Sequence, residues 1–438
     1  MKDIAFGIFG LATLIGIGYL FSENRKKIKW QQVGIGIGLQ IVFALFVLMT
    51  PWGATVFNWI ANFFVKIISF TFEGAKFVFG ALADQGQFSK AFPEALRNQG
   101  IGFVFAFQVL PTIIFFSSLM SVLYHLGIMQ RIVQAMAWVM AKAMKVSGAE
   151  SISVAANVFI GQTEAPLVVR PYVEPMTRSE LLTLMVGGMA TIAGGVLAAY
   201  VGLLGGTDPA QQLFYAKHLL SASIMAAPAT IVISKILVPE TQQSLTMGEV
   251  KVEIEKTNSN VIEAAATGAA DGLKLSLNVA GMLLAFIALI AMVNWILTGV
   301  FTDLLGITHG NGQPITLEFI LGNILSPIAW VIGVPWHDAV NVGSLIGQKI
   351  VLNEFIAYLK LSELLPMHVL SEKAVIISTY ALCGFANFSS IAIQIGGIGG
   401  IAPTRRSDLA KFGLKAVLGG TIATFMTATI AGVLIGLQ

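Results

Sequence analysis

Two carboxylates stand where a charge is costly. Glu164 falls in Gly161-Gln162-Thr163-Glu164-Ala165-Pro166, between two short apolar arms at 152–160 and 165–173. Glu354 falls in Val351-Leu352-Asn353-Glu354-Phe355, again between broken apolar arms within 315–365. A carboxylate at membrane depth costs roughly 2.5–3.5 kcal/mol on insertion scales, so it needs a partner or a task. One such residue could be a structural ion pair or a surface turn. Two, each at the tip of a short-armed turn, point to a polar site. Neutral donors and acceptors accompany them: Gln162, Thr163, Asn353, Asn387 and Ser390. Each alone reads as a helix cap or an interhelical hydrogen bond. Together, with no Lys or Arg at either tip to grip a phosphate or carboxylate, they suit the hydroxyls and amides of an uncharged polar solute. Phe385 could pack on a planar ring, or simply face lipid or core.

The elements that position these residues follow from composition. The 438-residue chain is 56% hydrophobic and only 11% charged. Its apolar runs approach the ~20 residues needed to cross a bilayer, which predicts an all-α polytopic membrane protein. A net charge of +3 gives no reason to expect a nucleic-acid partner, and the single cysteine, Cys383, excludes an internal disulfide. His125, His218, His309, His337 and His368 show no metal-ligand spacing. The chain has no phosphate loop, HExxH or GxSxG pattern, so ATP-driven transport and membrane hydrolysis lack their usual signals.

Spanning helices are expected at 4–21, 33–50, 101–124, 181–205, 219–238, 275–301, 374–403 and 417–437, with an amphipathic helix on the outer surface at 57–79. Gly34, Gly36 and Gly38 could allow close packing of the second span. The basic cluster Arg25-Lys26-Lys27-Ile28-Lys29, with Arg131, Lys142, Lys145, Arg170, Arg178, Arg405 and Arg406, assigns one side as cytoplasmic and leaves both termini outside. The polar stretch 239–271, with Glu249, Lys251, Glu253, Glu255 and Lys256, lies inside on this reading and marks the midpoint. The arms around Glu164 and Glu354 are about half a spanning length, so each pair predicts a re-entrant hairpin, one from each face. A broken helix and then a spanning helix follow each hairpin. This is an inverted repeat, the architecture of secondary transporters, with its site near the midplane. Interruptions at Asn157–Ile160 and Thr191-Ile192 would expose carbonyls able to coordinate Na⁺.

Three separated signatures resemble the concentrative nucleoside transporter family: Gly161-Gln162-Thr163-Glu164-Ala165-Pro166, Asn353-Glu354-Phe355, and Cys383-Gly384-Phe385-Ala386-Asn387-Phe388-Ser389-Ser390-Ile391. Val334-Pro335-Trp336 adds to them, and the resemblance covers nearly the whole chain. It implies a bacterial inner-membrane homotrimer in which a scaffold domain holds an elevator-type transport domain. The parts would be 1–125 (scaffold), 126–212 (first hairpin and broken helix, transport), 213–302 (helices five and six, the latter mainly scaffold), 303–412 (second hairpin and broken helix, transport) and 413–438 (last helix). By similarity, Gln162, Thr163 and Glu164 would meet the base, with Val196 lining that side. Glu354, Asn387 and Ser390 would meet the ribose, with Phe385 packing nearby. Asn157, Ile160, Thr191 and Ile192 would hold Na⁺. The implied activity is cation-coupled symport of nucleosides of the uridine, cytidine or adenosine type, with no cofactor and no enzymatic step. Thr191 stands where a Ser is often found in the family, so proton coupling stays open. A passive facilitator is the other alternative, but it would need a continuous polar pore rather than polar residues gathered at the breaks.

Overall fold

The computed structural model describes residues 2–92, 103–248, 258–310 and 312–437. Among these, two isolated bridges, Ser147 to Met247 and His309 to Gln313, are the only β-pairings, and the rest is helix and turn. The first half runs α1 (Lys2–Leu20), α2 (Trp30–Met49), α3 (Pro51–Phe79), α4 (Leu110–His125), α5 (Ile128–Met144), α6 (Gly148–Asn157), the short α7 (Ala165–Val168), α8 (Arg178–Ala190), α9 (Gly194–Gly205) and α10 (Pro209–Leu237). The second runs α11 (Val261–Leu297), α12 (Leu317–Val331), α13 (Ala339–Val351), α14 (Glu354–Leu364), α15 (Glu372–Ala381), α16 (Phe388–Ile401) and α17 (Arg406–Ile435).

Eight helical stretches among the described residues are long and apolar enough to cross a membrane. The expected count is met with different members. Pro51–Ser89, which contains the surface helix expected at 57–79, qualifies by length and composition alone. The second broken helix does not, because α15 and α16 have only 10 and 14 residues. Several helices also outrun their apolar runs. α10, α11 and α17 begin at residues 209, 261 and 406 rather than 219, 275 and 417, because a helix continues through polar turns once its apolar part is packed. Ile101 and Gly102, the expected start of the third span, lie outside the described residues, as do Glu249, Lys251, Glu253, Glu255 and Lys256.

Burial sorts the helices. The apolar windows of Arg178–Gly205, Pro209–Leu237 and Pro403–Ile435 are 89%, 83% and 83% buried, against 22% for α1 and 11% for Val261–Leu304. So α8, α9, α10 and α17 form the centre, while α11 leaves most of its apolar surface facing outward, as a lipid-facing or partner-facing helix can. Small residues set the close contacts. A Cβ on Gly268 or Gly272 of α11 would lie 2.6 or 2.8 Å from atoms of α4. Of the three glycines in α2, only Gly36 meets neighbours, Val232 and Met144. Cys383 is fully buried among the central helices.

Both expected helix interruptions are present. α8 ends at Ala190 and α9 starts at Gly194, with Thr191 extended (φ −122°, ψ 170°). α15 and α16 are separated by residues 382–387, and the Asn387 side chain caps α16 by accepting from Ser390 N. α6 packs against α7 and α13 against α14, so each Glu-bearing turn closes a helical hairpin.

Candidate functional site

The two hairpin turns and the two helix breaks converge on one cavity of about 1280 Å³. Its depth is lined by Glu354, Phe385, Asn387 and Ser390, and one side by Ile160, Gln162, Thr163, Glu164 and Val196. Its mouth is formed by His125, Arg170, Glu174 and Asn258, of which Arg170 and Glu174 are exposed.

Glu354 is 3% exposed. It begins α14, directly after Asn353, whose Oδ1 accepts from Ile356 N at 3.0 Å and so caps the helix. Glu354 Oε1 accepts from Tyr200 OH at 3.0 Å, and Oε2 from Asn387 Nδ2 at 3.0 Å. Each carboxylate oxygen has two lone pairs, so each keeps one for a further donor. Asn387 is held in turn, its Oδ1 accepting from Ser389 Oγ at 2.7 Å and Ser390 N at 2.9 Å. Asn387 N donates to Phe385 O, at 2.9 Å.

On the other side, Gln162 Nε2 donates to Ser390 Oγ at 3.0 Å, joining the first hairpin to α16 across 228 residues of sequence. Gln394 Nε2 donates to Gln162 Oε1 at 3.1 Å and to Met185 O at 2.9 Å. Glu164 lines the cavity and is exposed there, beside Gly161, where a Cβ would run into its Oε2. Thr163 packs on Gly397 of α16, where a Cβ would lie 2.9 Å from its Cγ2.

Asn157, Thr191 and Ile192 are buried just behind this wall. Asn157 Nδ2 donates to Ser153 O at 3.0 Å, and its Oδ1 has no hydrogen-bond partner. A buried carbonyl oxygen without a donor suits a cation. Thr191 Oγ1 donates to Gly187 O at 2.8 Å, which leaves its own lone pairs free to accept. A Cβ on Gly187 would lie 3.4 Å from Asn157 Nδ2, so Asn157 and the Thr191 hydroxyl approach the same glycine. Gly194 N donates to Phe159 O at 2.9 Å and ties the two interrupted segments together. Ile160 lines the cavity itself.

Family models match along most of this framework: "Na+ dependent nucleoside transporter N-terminus" over residues 9–82, "Nucleoside recognition" over residues 106–207 and "Na+ dependent nucleoside transporter C-terminus" over residues 218–432. The transporter YutK of Bacillus subtilis is 45% identical, over 99% of this chain and 100% of its own length. The nucleoside permease NupC of Helicobacter pylori is 41% identical, over 99% of this chain and 98% of its own. The chain belongs to the concentrative nucleoside transporter family.

It is accordingly a multi-pass membrane protein that carries out cation-coupled nucleoside transport by alternating access. CNTnw in an inward-facing substrate-bound state superposes with a TM-score of 0.89 at 42% identity, covering 100% of this chain and 99% of that one. A doubly substituted CNTnw in an outward-facing state gives 0.89 at 41%, with the same coverage.

Three buried polar residues around this nucleoside transporter's candidate site carry no signature in the sequence. Tyr200 and Gln394 hold Glu354 and Gln162 from behind, and each sits inside an apolar helix. Lys349 is fully buried in the last turn of α13 and donates to Ala381 O at 2.8 Å, the C-terminal carbonyl of α15, and to Thr424 Oγ1 at 3.2 Å. A lysine at a helix C-terminus is favourable for the helix dipole. The signal that could have found Tyr200 and Gln394 is a polar residue inside an otherwise apolar run; the helix of Lys349 also holds Asn341, Ser344 and Gln348, so there the signal is weaker.

Proposed function

We propose that the chain imports nucleosides into the bacterial cell by Na⁺ symport, with Glu354, Asn387 and Ser390 receiving the ribose and Gln162, Thr163 and Glu164 receiving the base. The observation that carries this reading is the Glu354 carboxylate: buried, with one donor on each oxygen and one acceptor position left on each. A vicinal diol supplies two donors at matching spacing. A nucleoside without a ribose hydroxyl would leave a buried acceptor unpaired, at a cost of about 1–3 kcal/mol. Val196 and Phe385 flank the same space and give the planar base apolar contact.

Na⁺ is the coupling ion on this reading, held by Asn157 Oδ1, the Thr191 hydroxyl and the carbonyls of Asn157, Ile160, Thr191 and Ile192. Both ion and substrate then touch the first hairpin, the ion at the end of α6 and the substrate at residues 162–164. Binding of one orders the segment the other needs, which is the differential interaction that coupling requires. The basic residues Arg131, Lys142 and Lys145 flank the cavity mouth in sequence, which supports a cytoplasmic opening and termini outside. Re-entrant hairpins carried by an elevator-type transport domain on a scaffold complete the proposal. Trimerisation would cover the outward apolar face of α11.

Uptake of radiolabelled uridine into proteoliposomes under an imposed Na⁺ or proton gradient tests this. Concentrative uptake driven by inward Na⁺ and abolished in its absence is expected. Uptake that follows only the proton gradient, or neither, overturns Na⁺ coupling.

A further inference from the structure

Gln394 does not line the cavity, yet it decides what the cavity presents. It is fully buried in α16 behind Gln162. Its Nε2 donates to Met185 O at 2.9 Å and to Gln162 Oε1 at 3.1 Å. A backbone carbonyl can only accept, so the end of Gln394 that faces Met185 must be its N–H₂ group. The same group meets Gln162, so the part of Gln162 that faces it must be oxygen. Gln162 then points its Nε2 the other way. One hydrogen goes to Ser390 Oγ at 3.0 Å, and one remains. The backbone is shaped for this contact. A Cβ on Gly188 would lie 2.7 Å from Gln394 Nε2 and 2.8 Å from Gln162 Cβ, so only glycine leaves room for the two amides to meet.

We propose that Gln394 is a positioning residue that sets the polarity of the Gln162 amide, so that the site offers the base a donor, not an acceptor, at this point. The proposal rests on Gln162 meeting the base. Ser390, on the ribose side, is the hydrogen-bond partner of Gln162, so Gln162 meets the part of the base nearest the sugar. Beside the glycosidic bond, common nucleosides carry an acceptor there: O2 in pyrimidines and N3 in purines. A fixed donor suits both classes. A flipped amide would set oxygen against a lone pair in every case. The polarity set by Gln394 therefore favours purine and pyrimidine nucleosides alike and disfavours analogues that lack this acceptor.

The test is uptake of adenosine and 3-deazaadenosine, whose N3 is replaced by C–H, into proteoliposomes under an inward Na⁺ gradient. Wild type, Gln394→Met, Gln162→Ala and the double variant are compared. Wild type should show a KM for 3-deazaadenosine about fivefold above that for adenosine, the worth of one neutral hydrogen bond. Gln394→Met should lose that preference and raise the adenosine KM with Vmax retained. In the Gln162→Ala background it should add nothing. Equal KM values for the two substrates in wild type would overturn the proposal without any variant. So would a retained preference in Gln394→Met, or the same loss in both backgrounds, which marks Gln394 as packing only. An unchanged KM in Gln162→Ala alone would remove the base-contacting role itself. A raised KM there, with Gln394→Met still discriminating, would overturn the polarity assignment and leave that role standing.

Discussion

At the scale of single residues, Glu354 is a carboxylate held ready. Tyr200 and Asn387 occupy one lone pair of each oxygen and leave one acceptor position on each. Glu354→Gln replaces one acceptor with a donor, so it should raise the uridine KM at least about tenfold, the lower range for a charged hydrogen bond. Uptake kinetics check this; a normal KM would sink the ribose assignment. Tyr200→Phe keeps the packing against Phe355 and Tyr358 but removes the donor. It should cost several-fold in KM for ribosides and less for a 2′-deoxyriboside or 3′-deoxyriboside, whichever lacks the hydroxyl facing Oε1. The legible part of the site was the part that breaks helices. Glu164, Glu354, Asn353 and Asn387 stood out because each interrupts an apolar run. Tyr200 and Gln394 did not, because their hydrogen bonds lie 154 and 232 residues away in sequence and leave the helix unbroken.

At the scale of elements, the first hairpin and its broken helix are clamped at one end by a buried polar network. Ser147 with Glu150 starts α6, and Thr177 with Glu180 starts α8, each as a reciprocal capping pair. Lys235 of α10 lies between them, 2.7 Å from Glu150 Oε2 and 3.0 Å from Ser179 Oγ. Lys235→Met would leave Glu150 buried without its cation, a loss of about 3–5 kcal/mol. A melting temperature of the detergent-solubilised protein lowered by several degrees is the expected result; an unchanged one would mean that water reaches this network. The hairpins, both breaks and most spans were legible from arm length, Gly and Thr content and basic clusters. Helix ends were not, because a packed helix continues through polar turns beyond its apolar run.

At the scale of the molecule, the N-terminal connection is pinned to distant helices by charge. Glu23 lies between α1 and α2, 2.6 Å from Lys415 of α17 and 3.3 Å from Arg178 at the start of α8. Burial pushes its carboxyl up, but Lys415 and Arg178 outweigh that and hold it below the ordinary glutamate value. A depressed pKa in the folded state contributes stability above the unfolded value, and that stability is lost as pH falls through the folded one. Wild type should therefore lose more melting temperature than Glu23→Gln on acidification below about pH 4.5. The difference is about 1 kcal/mol or less, since the pair is partly exposed. Identical acid profiles would show that this contact contributes nothing.

The single thiol of the chain, Cys383, is sealed inside the central helices. The native protein should therefore be silent to maleimide reagents while folded. A cysteine introduced at Glu174 on the cavity rim becomes a lone chemical reporter, with no native thiol to remove first. Its labelling rate from one side of the membrane, with and without nucleoside, would read out in real time which way the cavity faces.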